Sequence, residues 1–194
     1  MELPVKHKSA NVVAYCCSVS FTLLKDFPLC PIFSTMTNSI GMRNTPKMVA
    51  MDVQKTTVMP NGYPGTTLRQ MKDIFDGVGR FHYISSSDYQ KEGRTLSASD
   101  VRQFLKESHP ILVCWIDWSG HWQAIIGYDD MGTANEADDV IIVADPYDTT
   151  DHNQDGYGIY SWQRFQSMFS MYNQFPESEG GSNQLFLVPI PDKK

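Results

Sequence analysis

Basic residues and long apolar runs are both scarce in this sequence. It has 16 Lys and Arg against 22 Asp and Glu, a net charge of −6 and a pI near 5.2. An acidic chain lacks the basic face that binds phosphate backbones, so we expect no nucleic-acid partner. No apolar run approaches the length of a membrane span, and residues 1–4 do not form a secretory h-region. We therefore expect no membrane insertion, and the sequence leaves the cellular compartment open.

Cysteine is also scarce, with four residues in a chain of 194. Cys16 and Cys17 are adjacent while Cys30 and Cys114 are isolated, which matches neither a disulfide framework nor a zinc-binding pattern. A chain of this length can form a stable hydrophobic core without disulfides or a bound metal. We therefore expect a single domain over 1–194 that requires no cofactor. A free thiol here is then either an inert core residue or a nucleophile.

Two kinds of periodicity divide the chain. Helical spacing of apolar residues begins after Cys16, after Thr66 or Thr67, after Ser97 and after Ser161. Runs of strand length, rich in β-branched and aromatic residues, occupy 111–116, 122–128, 140–144, 157–160 and 185–188. This order predicts an α+β fold, with a helical part at about 1–110 packed on an antiparallel sheet at about 111–194.

Cys16 stands at the N-terminal end of its predicted helix. The unpaired N–H groups and the helix dipole stabilise a thiolate at such a position. A thiolate is a competent nucleophile when a histidine accepts and returns its proton. The alternative is a buried and inert cysteine, which is the commoner state of a free thiol.

His121 and Asp145 are the candidate partners of such a thiol. His121 precedes the apolar run 122–128, and Asp145 follows the run 140–144. A carboxylate on a neighbouring strand can orient the imidazole and stabilise its protonated form. Taken singly, His121 also fits a core histidine, and Asp145-Pro146 fits a turn.

Together these segments resemble the papain-like cysteine peptidases, in particular the branch related to the bacteriocin-processing double-glycine peptidases. The segment 16–20, Cys-Cys-Ser-Val-Ser, is similar to the opening of that branch's active-site helix. Gly120-His121 leads into an apolar strand that ends Gly-Tyr-Asp at 127–129, and the next strand ends Asp145-Pro146. These blocks follow one another in the order typical of the branch.

The resemblance implies a papain-like fold and a thiol-dependent peptidase that acts on a peptide or protein substrate through an acyl-enzyme. It implies that Cys16 is the nucleophile, His121 the general base and acid, and Asp145 the orienting group. The branch usually places a Gln ahead of the Cys as a donor to the oxyanion, but the first Gln of this chain is Gln54. The upstream candidates to replace it are Asn11 and His7.

Two alternative functions remain open at this point. One is an acyltransferase that uses the same three residues, with an amine or thiol in place of water. The other is a catalytically degenerate papain-like domain that binds peptide; the missing Gln favours it, and the intact Cys, His and Asp disfavour it. The candidates for lining a substrate groove are Trp115, Trp118, Trp122 and Tyr147, with core packing as the alternative.

The loop that follows Asp145 has a pattern typical of calcium loops. Asp151, Asn153 and Asp155 alternate ahead of Gly156, as in D-x-N-x-D-G. The twelfth position is Trp162 instead of the usual Glu, so any structural Ca²⁺ site there is weak, and a plain turn is the alternative.

We predict that millimolar CaCl₂ raises the melting temperature relative to EDTA, because a cation bound only to the folded chain stabilises it. A stabilisation of about 1 kcal/mol corresponds to a shift of about 2–4 °C at this chain length. The double variant Asp151→Ala/Asp155→Ala should lose the shift. No shift in the wild type, or an equal shift in the variant, would remove calcium from this interpretation.

Overall fold

The computed structural model describes residues 66–78, 81–115, 121–145, 156–169 and 184–192. The helices there are α1 (Leu68–Val78), α2 (Ser86–Lys91), α3 (Ala98–Lys106) and α4 (Trp162–Met168). The strands are β1 (Phe81–Ser85), β2 (Ile111–Trp115), β3 (His121–Asp129), β4 (Val140–Ala144), β5 (Tyr157–Ser161) and β6 (Leu185–Pro191). None of these helices is long and apolar enough to cross a membrane. The helix predicted after Cys16 lies outside the described residues.

The described strands form one antiparallel sheet in the order β1-β6-β2-β3-β4-β5. Strands β2 to β5 are neighbours in the order in which the chain makes them, and β6 inserts between β1 and β2. Strand β2 is buried along its whole length because it lies inside the sheet with helices over both faces. This architecture confirms the predicted α+β class and is consistent with a papain-like fold.

Helices cover the two faces of the sheet and bury two apolar clusters. On one face α1 contacts β1 and β6, and its Leu68, Met71 and Phe75 are buried in the first cluster. On the other face α2, α3 and α4 bury a second cluster that includes Trp115 and Phe165. Because each large apolar side chain contributes roughly 1.5–3 kcal/mol when fully buried, these clusters fix the sheet on which the candidate site is built.

Side-chain caps start α1, α3 and α4 where the sequence predicts them. At α1 the Gln70 N–H donates to Thr67 Oγ1 at 3.2 Å, and the Thr67 N–H donates to Gln70 Oε1 at 2.8 Å. At α3 the Asp100 N–H donates to Ser97 Oγ at 3.2 Å, and the Ser97 N–H donates to Asp100 Oδ2 at 3.0 Å. Helix α4 starts after Ser161. Each pair satisfies backbone groups that a helix start leaves without intrahelical partners.

Three features depart from the sequence patterns. Neither β1 nor α2 is predicted, and both lie within the part of the chain that we expected to be helical. Strand β1 is an edge strand whose central residues are partly exposed, so its alternation is weak. Strand β6 continues past its predicted end, through Pro189 to Pro191. The added segment pairs with β1, while β2 pairs only with residues 185–187 of β6. Because neither proline lies opposite β2, the missing N–H of each proline removes no hydrogen bond to that strand.

Replacing Ser97 by Ala tests the cap of α3. The variant should lose about 1 kcal/mol of unfolding free energy, the usual contribution of such a cap. Burial opposes ionisation of Asp100, but the hydrogen bonds from Ser97, together with smaller contributions from Tyr89 and Arg94, hold the pKa of that carboxyl below its ordinary value. A lowered carboxyl pKa stabilises the fold above the unfolded value of about 3.9, and this stabilisation disappears as pH falls through the folded value.

The Ser97→Ala penalty should therefore be constant near neutrality and shrink below about pH 3.9, which urea unfolding at two pH values can measure. Thr95→Ala changes an exposed neighbouring position and is the control, with little expected effect. An equal penalty at pH 7 and at pH 3 would contradict the role of the ionised Asp100.

Candidate active site

His121 and Asp145 meet because β3 and β4 run antiparallel. His121 is the first residue of β3, and Asp145 follows the last residue of β4. Ala124 pairs with Ala144, so one position further along the ladder Gln123 stands opposite Asp145. Because alternate residues of a strand share a face, His121 and Gln123 both point to the side of the sheet that carries Asp145.

The imidazole and the carboxylate form a short and largely buried hydrogen bond. His121 Nε2 lies 2.6 Å from Asp145 Oδ1, and the two side chains are 13% and 2% exposed. Gln123 Nε2 donates to the other carboxylate oxygen, Oδ2, at 2.6 Å. An ionised carboxylate only accepts hydrogen bonds, so neutral His121 carries its proton on Nε2. The ring nitrogen that can take a proton from a nucleophile is then Nδ1.

The backbone of Asp145 is anchored as well as its side chain. The Asp145 N–H donates to the carbonyl oxygen of Gly156 at 2.8 Å, just ahead of β5. Gly156 has φ +85°, a left-handed conformation that glycine adopts without the steric cost of a Cβ. The carboxylate therefore projects from a backbone position that the ladder between β4 and β5 holds in place.

A buried glutamine connects this carboxylate to a tryptophan. Trp115 of β2 pairs with His121 in the sheet register, and its indole N–H donates to Gln123 Oε1. Trp115 and Gln123 are both 0% exposed, so Trp115 is packed in the core, which was the alternative to lining a groove. Gln123 is not among the site residues predicted from the sequence. The available signal was one amide within an apolar strand, because a buried amide needs hydrogen-bond partners.

Trp122 lies on the opposite face of the sheet, which corrects its expected role in lining a substrate groove. It is 6% exposed and belongs to the cluster under α1. Its indole N–H donates to the carbonyl oxygen of Thr66 at 2.9 Å. Because Trp122 follows His121 directly along the strand, its side chain points away from the imidazole. Trp122 is a core residue, and we leave it out of the proposed substrate site.

Cys114 also lies on the face that carries Trp122. The two residues pair across β2 and β3, and the Cys114 thiol is free and buried. Burial raises the pKa of the Cys114 thiol well above its usual range, so the thiol stays protonated. A protonated thiol on the opposite side of the sheet cannot be the nucleophile that His121 serves.

The remaining predicted site residues lie outside the described residues: Cys16, His7, Asn11, Trp118, Tyr147, Asp151, Asn153 and Asp155. Within the ranges that the structure describes, no group of three or more His, Cys, Asp or Glu side chains could hold a metal ion.

An antiparallel sheet with helices on both faces, and with a histidine and a carboxylate that meet at the ends of neighbouring strands, is consistent with the fold of a papain-like cysteine peptidase. The family model described as the Peptidase_C39 like family matches residues 36–176, which is 141 of the 194 residues. The chain belongs to this Peptidase_C39-like family, as the resemblance in the sequence indicated. No curated protein and no solved structure matches it. The matched span contains His121 and Asp145 and begins after Cys16.

Proposed function

We propose that the protein is a thiol-dependent peptidase with Cys16 as nucleophile, His121 as general base and acid, and Asp145 as the orienting carboxylate. The observation that supports this most is the buried hydrogen bond between His121 and Asp145, which lies within the span matched by the peptidase family. It directs one ring nitrogen to the carboxylate and reserves the other for proton transfer.

In the proposed reaction His121 Nδ1 takes the proton of the Cys16 thiol, and the sulfur attacks the carbonyl carbon of the substrate. The protonated imidazole then gives its proton to the leaving amine as the C–N bond breaks, which leaves a thioester on Cys16. Water that transfers a proton to His121 attacks the thioester. The C–S bond breaks, and the proton returns to the sulfur. Asp145 stays ionised throughout and stabilises each imidazolium.

The rest of the proposed site comes from parts of the chain that carry the family resemblance. Asn11 or His7 would supply the side-chain donor to the oxyanion that a Gln usually provides. Trp118 and Tyr147 would contact a peptide or protein substrate. The chemistry needs no cofactor, and Ca²⁺ at Asp151, Asn153 and Asp155 would have a structural role only.

A second candidate function, a papain-like domain that binds peptide without turnover, is favoured by two observations. No Gln precedes Gln54, so the usual oxyanion donor is absent. The family match also begins at residue 36, after Cys16. Removal of one oxyanion donor costs about a hundredfold or more in turnover, which weakens a peptidase without abolishing it.

Brief alkylation with iodoacetamide at pH 7, followed by mass spectrometry, separates the two functions. We expect the adduct on Cys16, with Cys17 and Cys30 reacting slowly and the buried Cys114 not reacting until the chain is denatured. In His121→Ala the labelling of Cys16 should slow about tenfold or more, because the neighbouring imidazole no longer stabilises the thiolate.

His109→Ala is the matched control, since His109 lies three residues past the end of α3, where its Nε2 is 4.0 Å from Glu107 Oε2. It should leave the labelling rate of Cys16 unchanged. Labelling mainly on Cys17 would overturn the assignment of the nucleophile. Equal and slow labelling of every cysteine would favour the binding domain over the peptidase.

A further inference from the structure

The candidate site contains a buried amide that the proposed reaction does not use. Gln123 is 0% exposed, and both ends of its amide are engaged. Its Oε1 accepts from the indole N–H of Trp115, and its Nε2 donates to Asp145 Oδ2 at 2.6 Å. The three side chains come from β2, β3 and the residue after β4, so they cross three neighbouring strands at the end of the sheet where His121 lies.

The orientation of the Gln123 amide follows from the chemistry of its neighbours. An indole N–H is only a donor, so the oxygen of the amide must face Trp115. An ionised carboxylate is only an acceptor, so the nitrogen must face Asp145. A flipped amide would put donor against donor at one end and acceptor against acceptor at the other.

Trp115 is itself held by packing. Its ring lies 4.8 Å from that of Tyr160 and 5.4 Å from that of Phe165, measured between centroids, and the residue is 0% exposed. The indole therefore provides a donor at a fixed position. Its hydrogen bond to Oε1 in turn restrains the amide of Gln123.

The carboxylate has two oxygens, and the site uses each for a different partner. Gln123 occupies Oδ2, and His121 Nε2 occupies Oδ1 at 2.6 Å. Rotation of the carboxylate about its Cβ–Cγ bond would break both hydrogen bonds at once. The donor from Gln123 thus restricts the orientation in which Oδ1 meets the imidazole.

From this geometry we infer that Gln123, locked by Trp115, is a positioning residue that holds the Asp145 carboxylate in the orientation that His121 requires. Its effect on turnover rests on the proposed peptidase function, whereas its effect on the hydrogen bond between His121 and Asp145 does not. Gln123 acts through Asp145, because the two hydrogen bonds of its amide are with Trp115 and with the Asp145 carboxylate.

Gln123→Leu removes the donor and keeps a side chain of similar size. It should lower kcat between about tenfold and a hundredfold with little change in KM, because a misplaced catalytic group costs rate and leaves substrate contacts intact. Gln70→Leu is the matched control, since Gln70 is also a buried amide, 1% exposed, but pairs with Thr67 at the start of α1. It should lower the melting temperature without this fall in kcat.

A double variant shows whether Gln123 acts through the carboxylate. In an Asp145→Asn background Gln123→Leu should cause no further fall in kcat, because residues that act as one unit are not additive. A full additional loss in the double variant, or an equal loss of kcat in Gln70→Leu, would overturn the inference. If Gln123→Leu does not fold, Trp115→Phe removes the indole donor together with part of the ring that packs on Tyr160 and Phe165. The same comparisons of kcat and of melting temperature then apply to this variant.

Proton NMR of the His121 Nε2–H tests the same point without turnover. We expect a downfield resonance protected from solvent exchange in the wild type, unchanged in Gln70→Leu, and broadened or lost in Gln123→Leu. If the wild type shows this pattern but cleaves no peptide, the proposed function fails and the positioning role stands. If the wild type cleaves peptide while Gln123→Leu alters neither kcat nor the resonance, the peptidase stands and the positioning role is refuted.

Discussion

The Asp145 carboxylate is 2% exposed, and an ion removed from water costs several kcal/mol unless hydrogen bonds replace its hydration. His121 and Gln123 supply those hydrogen bonds, each at 2.6 Å, from alternate residues of one strand. The register of β3 against β4 brings them to the carboxylate, and the N–H of Asp145 fixes its backbone to Gly156. A shift of one residue in that register would turn both donors to the other face and leave the charge without partners.

Much of the fold can be predicted from the amphipathic patterns and the helix caps in the sequence. Helices α1 and α3 are predictable because their apolar stripes and their caps at Thr67 and Ser97 are local signals, and β2 to β5 are short apolar runs. Strand β1 is not predictable in this way, because it is short and partly exposed and gains its stability by pairing with β6 from the far end of the chain. The extension of β6 through Pro189 to Pro191 could not be predicted for the same reason. Only the order of strands in the sheet shows that this part of β6 pairs with β1 and not with β2.

The candidate site is predictable to a similar extent. His121 and Asp145 can be found in the sequence because each adjoins an apolar strand, but their contact depends on which strands become neighbours. Gln123 was missed because strand periodicity marks it as one polar residue without showing that Trp115 and Asp145 lie on either side of its amide. The position of Trp122 could have been predicted from alternation alone, because it adjoins His121 and must face the other way.

We propose that the pair formed by His121 and Asp145 serves catalysis. Replacing both partners of a buried polar or charged pair by apolar residues of similar shape is often neutral or stabilising, so stability alone is a poor explanation for this pair. The most direct measurement compares cleavage of a mixed peptide pool by the wild type and by Asp145→Asn, counting new amino termini and recording the melting temperature of each. We expect the variant to keep a similar melting temperature and to lose on the order of a thousandfold or more in cleavage rate. His121 Nε2 and Gln123 Nε2 each donate to one oxygen of the carboxylate, whereas the Asn amide has one oxygen and cannot accept from both. Asn also lacks the negative charge that stabilises the imidazolium. Full cleavage by Asp145→Asn, or a loss that merely follows a large fall in melting temperature, would contradict this role in catalysis.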